Sequence, residues 1–285
     1  MNLIKEYIEL TKPRIVTMVL VTSAMGYYLG GKGEASIMTL FWLLFGTALT
    51  CGGSTALNNY LERDVDALMH RTKNRALVTG TIDPEYAKLF GITLSLVGTV
   101  ILVVHVNLLS GFLALLTVFL YVFLYTPLKR TTPFNTVIGA IPGALPPMGG
   151  WAAATGSIGI GGWILFLIMF VWQHPHFFAI AWMYKDDYRN GGFKMLPVVD
   201  PSGESTFKAI IYTSIALIPI SFLPTIFGLS GFIYFTGALF LGLYMLHYGI
   251  QLSRSGTVMD ARKLLRASIV YLPVLLMLIV GDKTF

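Results

Sequence analysis

The chain has 285 residues, of which 55% are hydrophobic and only 12% charged, about half the roughly 25% charged content of soluble domains. That composition excludes an ordinary soluble enzyme. A formal charge of +6 could suggest nucleic acid, but the placement of the cations points to a membrane surface, and no nucleic-acid partner is expected. Cys51 is the only cysteine, so an intrachain disulfide and a cysteine-built iron–sulfur or zinc site are both ruled out.

The chain opens MNLIKEYIELTKPRIVTMVL. This stretch holds acidic residues and Lys12-Pro13-Arg14, and it lacks a short apolar core followed by a small-residue cleavage site, so it reads as a retained first helix and not a signal peptide. Apolar runs long enough to cross a bilayer, about 17 to 25 residues each, then recur with short polar breaks. The predicted spans are 14–31, 37–57, 87–107, 109–126, 134–152, 163–184, 207–228, 231–251 and 266–281. The expectation is an all-α polytopic membrane protein of about nine transmembrane helices, with residues 1–285 as a single transmembrane domain in the lipid bilayer.

The lysines and arginines decide orientation. All but Lys32 and Lys283 fall at the N-terminus or in or beside the even-numbered loops. The positive-inside rule therefore predicts a cytoplasmic N-terminus and a C-terminus outside, in a bacterial-type plasma membrane.

The second span runs into LNNYLERDVDALMHRTKNRAL, residues 57–77. Each of these charges would cost about 2.5 to 3.5 kcal/mol at the centre of a span, so the helix must reach the interface or a watery cavity near Asn58. If it continues past that point, Asn58, Glu62 and Asp66 lie about 40° apart on successive turns and share one face. A solvated loop serving only topology is the plain alternative, but orientation needs lysine and arginine alone, which leaves the carboxylates unexplained. An amide and two carboxylates spaced in this way suit a hard divalent cation, Mg²⁺. Arg71, Lys73 and Arg75 follow directly.

A third cluster, YTPLKRTTPFN from Tyr125 to Asn135, adds Lys129 and Arg130 on the same side. A second acidic site closes the sixth span, where Asp186 and Asp187 lie near Lys185, Arg189 and Lys194. The two acidic helix ends look like a weak internal repeat. Carboxylates for a metal among many cations are what a diphosphate needs, and the same arrangement favours its departure as a leaving group. Asn58, Glu62, Asp66, Asp186 and Asp187 are the candidate catalytic residues. Asn58, Glu62, Asp66 and Asp187 are the candidate metal ligands, and Arg71, Lys73, Arg75, Tyr125, Lys129, Arg130 and Lys194 the candidate substrate contacts.

Within the sixth span, His174 and His176 flank Pro175, which lacks a backbone donor and is expected to kink the helix. Polar side chains at that depth are functional candidates; helix packing is the competing reading. Two positions apart, they point about 200° from each other. Of the aromatics, Trp172, Phe177, Phe178 and Trp182 are expected to pack helices or face lipid, and Tyr125, beside the basic cluster, is a slightly better candidate for cation–π contact.

At these residues the sequence resembles the intramembrane prenyltransferase superfamily typified by the UbiA enzymes, and most closely its haem-farnesylating branch, over nearly the whole chain. The superfamily's first motif, Asn-x-x-x-Asp-x-x-x-Asp, reads Asn58, Glu62, Asp66 here, with glutamate at the middle position as in the haem branch. Residues 125–151 and 172–198 resemble that branch too. Its second motif has aspartates four apart, whereas Trp182 and Met183 stand four before Asp186 and Asp187; either aspartate could be the one at the metal. The resemblance implies nine helices around a central cavity capped by the acidic motifs. It implies farnesyl transfer from farnesyl diphosphate to a vinyl group of haem B, giving haem O, with Mg²⁺ as cofactor, His174 or His176 as a haem contact, and a partner enzyme receiving the product. The alternatives are an aromatic quinone precursor as acceptor, or an ion-coupled transporter, although transporters place such groups near the bilayer midplane.

Overall fold

The computed structural model describes residues 3–34 and 36–284. The helices are α1 (Leu3–Leu10), α2 (Pro13–Gly30), α3 (Ile37–Asp66), α4 (Pro84–His105), α5 (Leu108–Leu128), α6 (Asn135–Thr155), α7 (Ile160–Met183), α8 (Lys185–Asn190), α9 (Leu196–Val199), α10 (Glu204–Ile226), α11 (Phe232–Ser255) and α12 (Val258–Gly281). Nine of the helices in the described residues run 18 residues or longer. Seven of those are long and apolar enough to cross a membrane. The other two, α2 and α6, are diluted by Gly, Pro, Thr, Ser and Ala, which let neighbouring backbones approach.

The close approaches are built from small residues. A Cβ on Gly53 would stand 2.6 Å from the Gly91 carbonyl oxygen, and one on Gly98 2.6 Å from that of Gly46, so α3 and α4 meet along a reciprocal glycine seam. In the same way a Cβ on Gly26 would meet the Pro147 carbonyl at 1.9 Å, and one on Gly150 the Ser23 carbonyl at 1.9 Å, locking α2 to α6. Such contacts replace the hydrophobic drive that lipid removes.

Around these pairs α7 is the inner helix, with 67% of its most apolar stretch buried. It carries Pro175 inside its length, and Trp172 Nε1 donates to the Ser268 carbonyl of α12 at 3.0 Å. Two features of the helices prepare the site. First, α3 begins at Ser36, whose hydroxyl caps the Thr39 N–H, and extends to Asp66, nine residues beyond the predicted end at 57. Second, α5 loosens into a π-helical turn at Leu120–Tyr125, a device that re-aims side chains and is common at functional sites.

The candidate active site

The extension of α3 brings Asn58, Glu62 and Asp66 onto one buried face, with exposures of 1%, 7% and 1%. Buried charges require partners, and each position on this face has one, from a different segment of chain. Lys12 Nζ donates to Asn58 Oδ1 at 2.8 Å. Lys129 Nζ donates to Glu62 Oε1 at 2.8 Å. Arg75 Nη1 donates to Asp66 Oδ2 at 2.5 Å. The result is three rungs, each joining one oxygen-bearing side chain to one cation.

The rungs are held from behind. Asn58 Nδ2 donates to Thr126 Oγ1 at 3.0 Å, and Thr126 donates to the Tyr121 carbonyl in the π-helical turn at 2.8 Å. Neighbouring Asn59 donates to the Leu10 carbonyl at 3.1 Å, tying the end of α1 to α3. Thr72 Oγ1 reaches the Asp66 carbonyl at 2.9 Å. Lys12 itself sits at φ 49°, a left-handed conformation unfavourable for a residue with a side chain; that corner between α1 and α2 aims its ammonium at Asn58. Burial, then the Arg75 guanidinium, push Lys12 down to about 7. Burial acts on Lys129 in the same direction, but the charge and hydrogen bond of the Glu62 carboxylate work against it, and Lys129 is held above the ordinary lysine value.

In front of the rungs lies a cavity of about 540 Å³, lined by all six rung residues and by Arg71, Tyr121, Tyr125, Phe193 and Met195. That is within the range of small-molecule sites. Lys129 Nζ lies 4.5 Å from the Tyr125 ring centroid, which holds the ammonium beside an aromatic wall. The donor set of an amide and two carboxylates suits a hard cation, and Asp66 Oδ1 is buried without a hydrogen-bond partner, as a ligand oxygen would be. Among the described residues, however, no three His, Cys, Asp or Glu side chains gather as a metal centre, because the third oxygen donor here is an asparagine.

Of the sequence-predicted residues, Asn58, Glu62, Asp66, Arg71, Arg75, Tyr125 and Lys129 are brought together around the cavity. Lys73, Arg130 and Lys194 are exposed and do not line it. Nor does Asp186, which is exposed and paired with Arg189 at 2.7 Å. Asp187 turns its carboxylate to the His70 and Arg71 backbone N–H groups. His174 Nδ1 is 2.7 Å from the Phe170 carbonyl of its own helix, and His176 Nδ1 is 2.7 Å from Ser268 Oγ on α12. Both histidines lie away from the cavity lining, in packing contacts. Sequence reasoning missed Lys12, Tyr121 and Thr126; the Lys12-Pro13 corner was the available signal, read there only as a topological charge.

The fold and this cavity define an integral membrane protein with a basic, carboxylate-bearing chamber at one end of its helix bundle. The chain belongs to the UbiA prenyltransferase family, which it matches over residues 19–272. It is 44% identical to the protoheme IX farnesyltransferase of Solibacter usitatus (strain Ellin6076), over 98% of this chain and 99% of that one. It is 43% identical to the protein of the same name in Salinibacter ruber (strain DSM 13855 / M31), over 97% and 98%. Among solved structures, a UbiA homolog from Archaeoglobus fulgidus bound to DMAPP and Mg²⁺ shares the fold at TM-score 0.71 and 19% identity, over 96% of this chain and 99% of that one. A chain from work on digeranylgeranylglyceryl phosphate synthase in membranes shares it at TM-score 0.82 and 17% identity, over 99% of both.

Proposed function

We propose that the protein transfers the farnesyl group of farnesyl diphosphate to a vinyl group of haem B, giving haem O. The observation that carries this reading is the three-rung face of α3. It offers oxygen ligands to a cation and, one side chain away, three cations to an anion. The names of the relatives at 43–44% identity support the choice of haem as acceptor, and the fold neighbour bound to DMAPP and Mg²⁺ supports the choice of metal.

Asn58, Glu62 and Asp66 would hold Mg²⁺, which when bound supplies positive charge against the diphosphate oxygens. Lys12, Arg75, Lys129 and Arg71 bind the remaining phosphate charge and favour departure of the diphosphate with the electron pair of the allylic C–O bond. The Tyr121 and Tyr125 rings face the delocalised farnesyl cation, and the buried apolar side chains of Leu10, Leu77 and Met195 keep bulk water from it. A vinyl carbon of haem attacks the cation. Water then adds to the cation left on the haem side chain and loses a proton, giving the hydroxyethylfarnesyl group and free diphosphate.

The chamber and the N-terminus face the cytoplasm of a bacterial-type plasma membrane in this account, because 18 of the 20 lysines and arginines lie at that end. The C-terminus lies outside, and an enzyme that consumes haem O is the expected partner. The test is purified protein with Mg²⁺, farnesyl diphosphate and either haem B or 4-hydroxybenzoate, with products weighed by mass spectrometry. Farnesylated, hydrated haem is the expected product; farnesylation of the benzoate alone would overturn the assignment.

A further inference from the structure

All three rung cations stand outside the straight helices: Lys12 at the corner before α2, and the other two in later segments, Arg75 in the turns between α3 and α4 and Lys129 at the corner after α5. Both segments are tied to one stretch of chain, 184–195. Asp187 Oδ1 accepts from the His70 N–H at 3.1 Å and Oδ2 from the Arg71 N–H at 3.2 Å. The Arg71 guanidinium lies 5.0 Å from the Tyr184 ring centroid and 5.8 Å from that of Tyr188. Further along, the Lys194 N–H donates to the Lys129 carbonyl at 2.7 Å, while buried Asn135 Nδ2 reaches the Lys194 carbonyl at 3.1 Å.

The same stretch is pressed against the end of α3. A Cβ on Gly191 would stand 2.9 Å from Val65 Cγ1 and 3.2 Å from Met69 Cγ. The carboxylate of Asp187 therefore bridges two consecutive N–H groups of a turn whose next residue, Thr72, bonds the Asp66 carbonyl, and whose Arg75 occupies the Asp66 carboxylate. Each Asp187 carboxylate oxygen is engaged by one of these N–H groups, and its side chain is not part of the cavity lining.

The geometry points to Asp187 as a positioning residue: it latches the 67–75 turns to the 184–195 stretch so that Arg71 and Arg75 stand over the chamber, and it acts on the diphosphate through them. This inference rests on the diphosphate reading of the chamber and deepens it. Asp187→Ala frees both N–H groups. Asp187→Asn keeps the shape and one oxygen acceptor, so it retains part of the latch even if the alanine variant folds poorly.

The experiment compares both variants with the parent protein, full length in detergent, by amide hydrogen exchange and by calorimetric binding of inorganic diphosphate with Mg²⁺. Amides across 67–75 should exchange about three- to tenfold faster in Asp187→Ala, the size of effect expected for solvent-accessible hydrogen bonds to a charged acceptor, with α6 amides unchanged. Diphosphate binding should weaken several-fold. In turnover, KM for the prenyl diphosphate should rise with kcat altered less than about twofold and the Mg²⁺ half-saturation unmoved. Asp187→Asn should fall between the alanine variant and the parent. Unchanged exchange at 67–75 would overturn the latch, and so would a raised Mg²⁺ requirement in Asp187→Asn with normal exchange, which is the behaviour of a metal ligand. The exchange measurement needs no acceptor, so failure to make a haem product would count against the farnesyl-transfer reading and leave the latch to be judged separately.

Discussion

Removing the ammonium from the middle rung is the sharpest mutational probe of the chamber. Lys129→Met keeps the apolar stem and deletes one charge that stands 2.8 Å from Glu62 Oε1, between side chains only 13% and 9% exposed. At that distance the gross attraction is about 6 kcal/mol for an effective dielectric of about 20, most of it offset by desolvation of both groups. Removing one member of a buried pair commonly costs about 3 to 5 kcal/mol. Because Glu62 borders the cavity, where water can replace the ammonium, the stability loss should fall at or below about 3 kcal/mol. The ligand loses one hydrogen bond to a charged donor, about 1.5 to 3 kcal/mol, which is about 10- to 150-fold in diphosphate affinity. Titration calorimetry with Mg²⁺ and farnesyl diphosphate reads the affinity, and thermal unfolding in the same detergent reads the stability. Lys129→Arg, which keeps the charge, should recover most of the binding. Diphosphate affinity within twofold of the parent in Lys129→Met would refute the clamp.

Asp66→Asn, which removes the charge around the unpartnered Oδ1, should abolish Mg²⁺-dependent turnover while the protein stays folded; activity restored simply by raising Mg²⁺ would instead mark a peripheral role. Lys73→Ala and Arg130→Ala, both outside the chamber, should leave diphosphate affinity within about twofold, and a loss matching that of Lys129→Met would mean the site is drawn too narrowly. Gly150→Ala places a methyl 1.9 Å from the Ser23 carbonyl, a backbone atom that cannot rotate aside. It should lower thermal stability by about 1 to 3 kcal/mol or more, and an unchanged melting curve would show that α2 and α6 can separate freely. His176→Ala should cost about 1 kcal/mol through the lost Ser268 bond and leave diphosphate binding intact, as followed by calorimetry.

The polar row on α3 was legible in the sequence because Asn58, Glu62 and Asp66 belong to one helix, where spacing alone sets direction. Its partners were not. Lys12 meets Asn58 across 46 residues and Asp187 meets His70 across 117, and no local period encodes such pairings. Adjacent cations also look alike in a string: Lys129 and Arg130 both lie in the turn after α5, and no helical period says that the first enters the chamber while the second stays exposed. Helix geometry does separate His174 from His176: the first meets the Phe170 carbonyl of its own helix and the second Ser268 Oγ on α12. The nine apolar stretches matched long helices, but α3 ran nine residues past its predicted end. Hydropathy falls where a helix enters a polar chamber, so an apolar window stops before the functional residues begin.

The most direct test of the account is a single-turnover experiment with purified protein in lipid nanodiscs, labelled farnesyl diphosphate, Mg²⁺ and haem B, following diphosphate release and haem product together. The account predicts one diphosphate released for each haem O formed, release that depends on haem, and loss of both signals in Glu62→Gln. Haem O formed undiminished by Glu62→Gln, or diphosphate released with no farnesylated haem to match it, would contradict it.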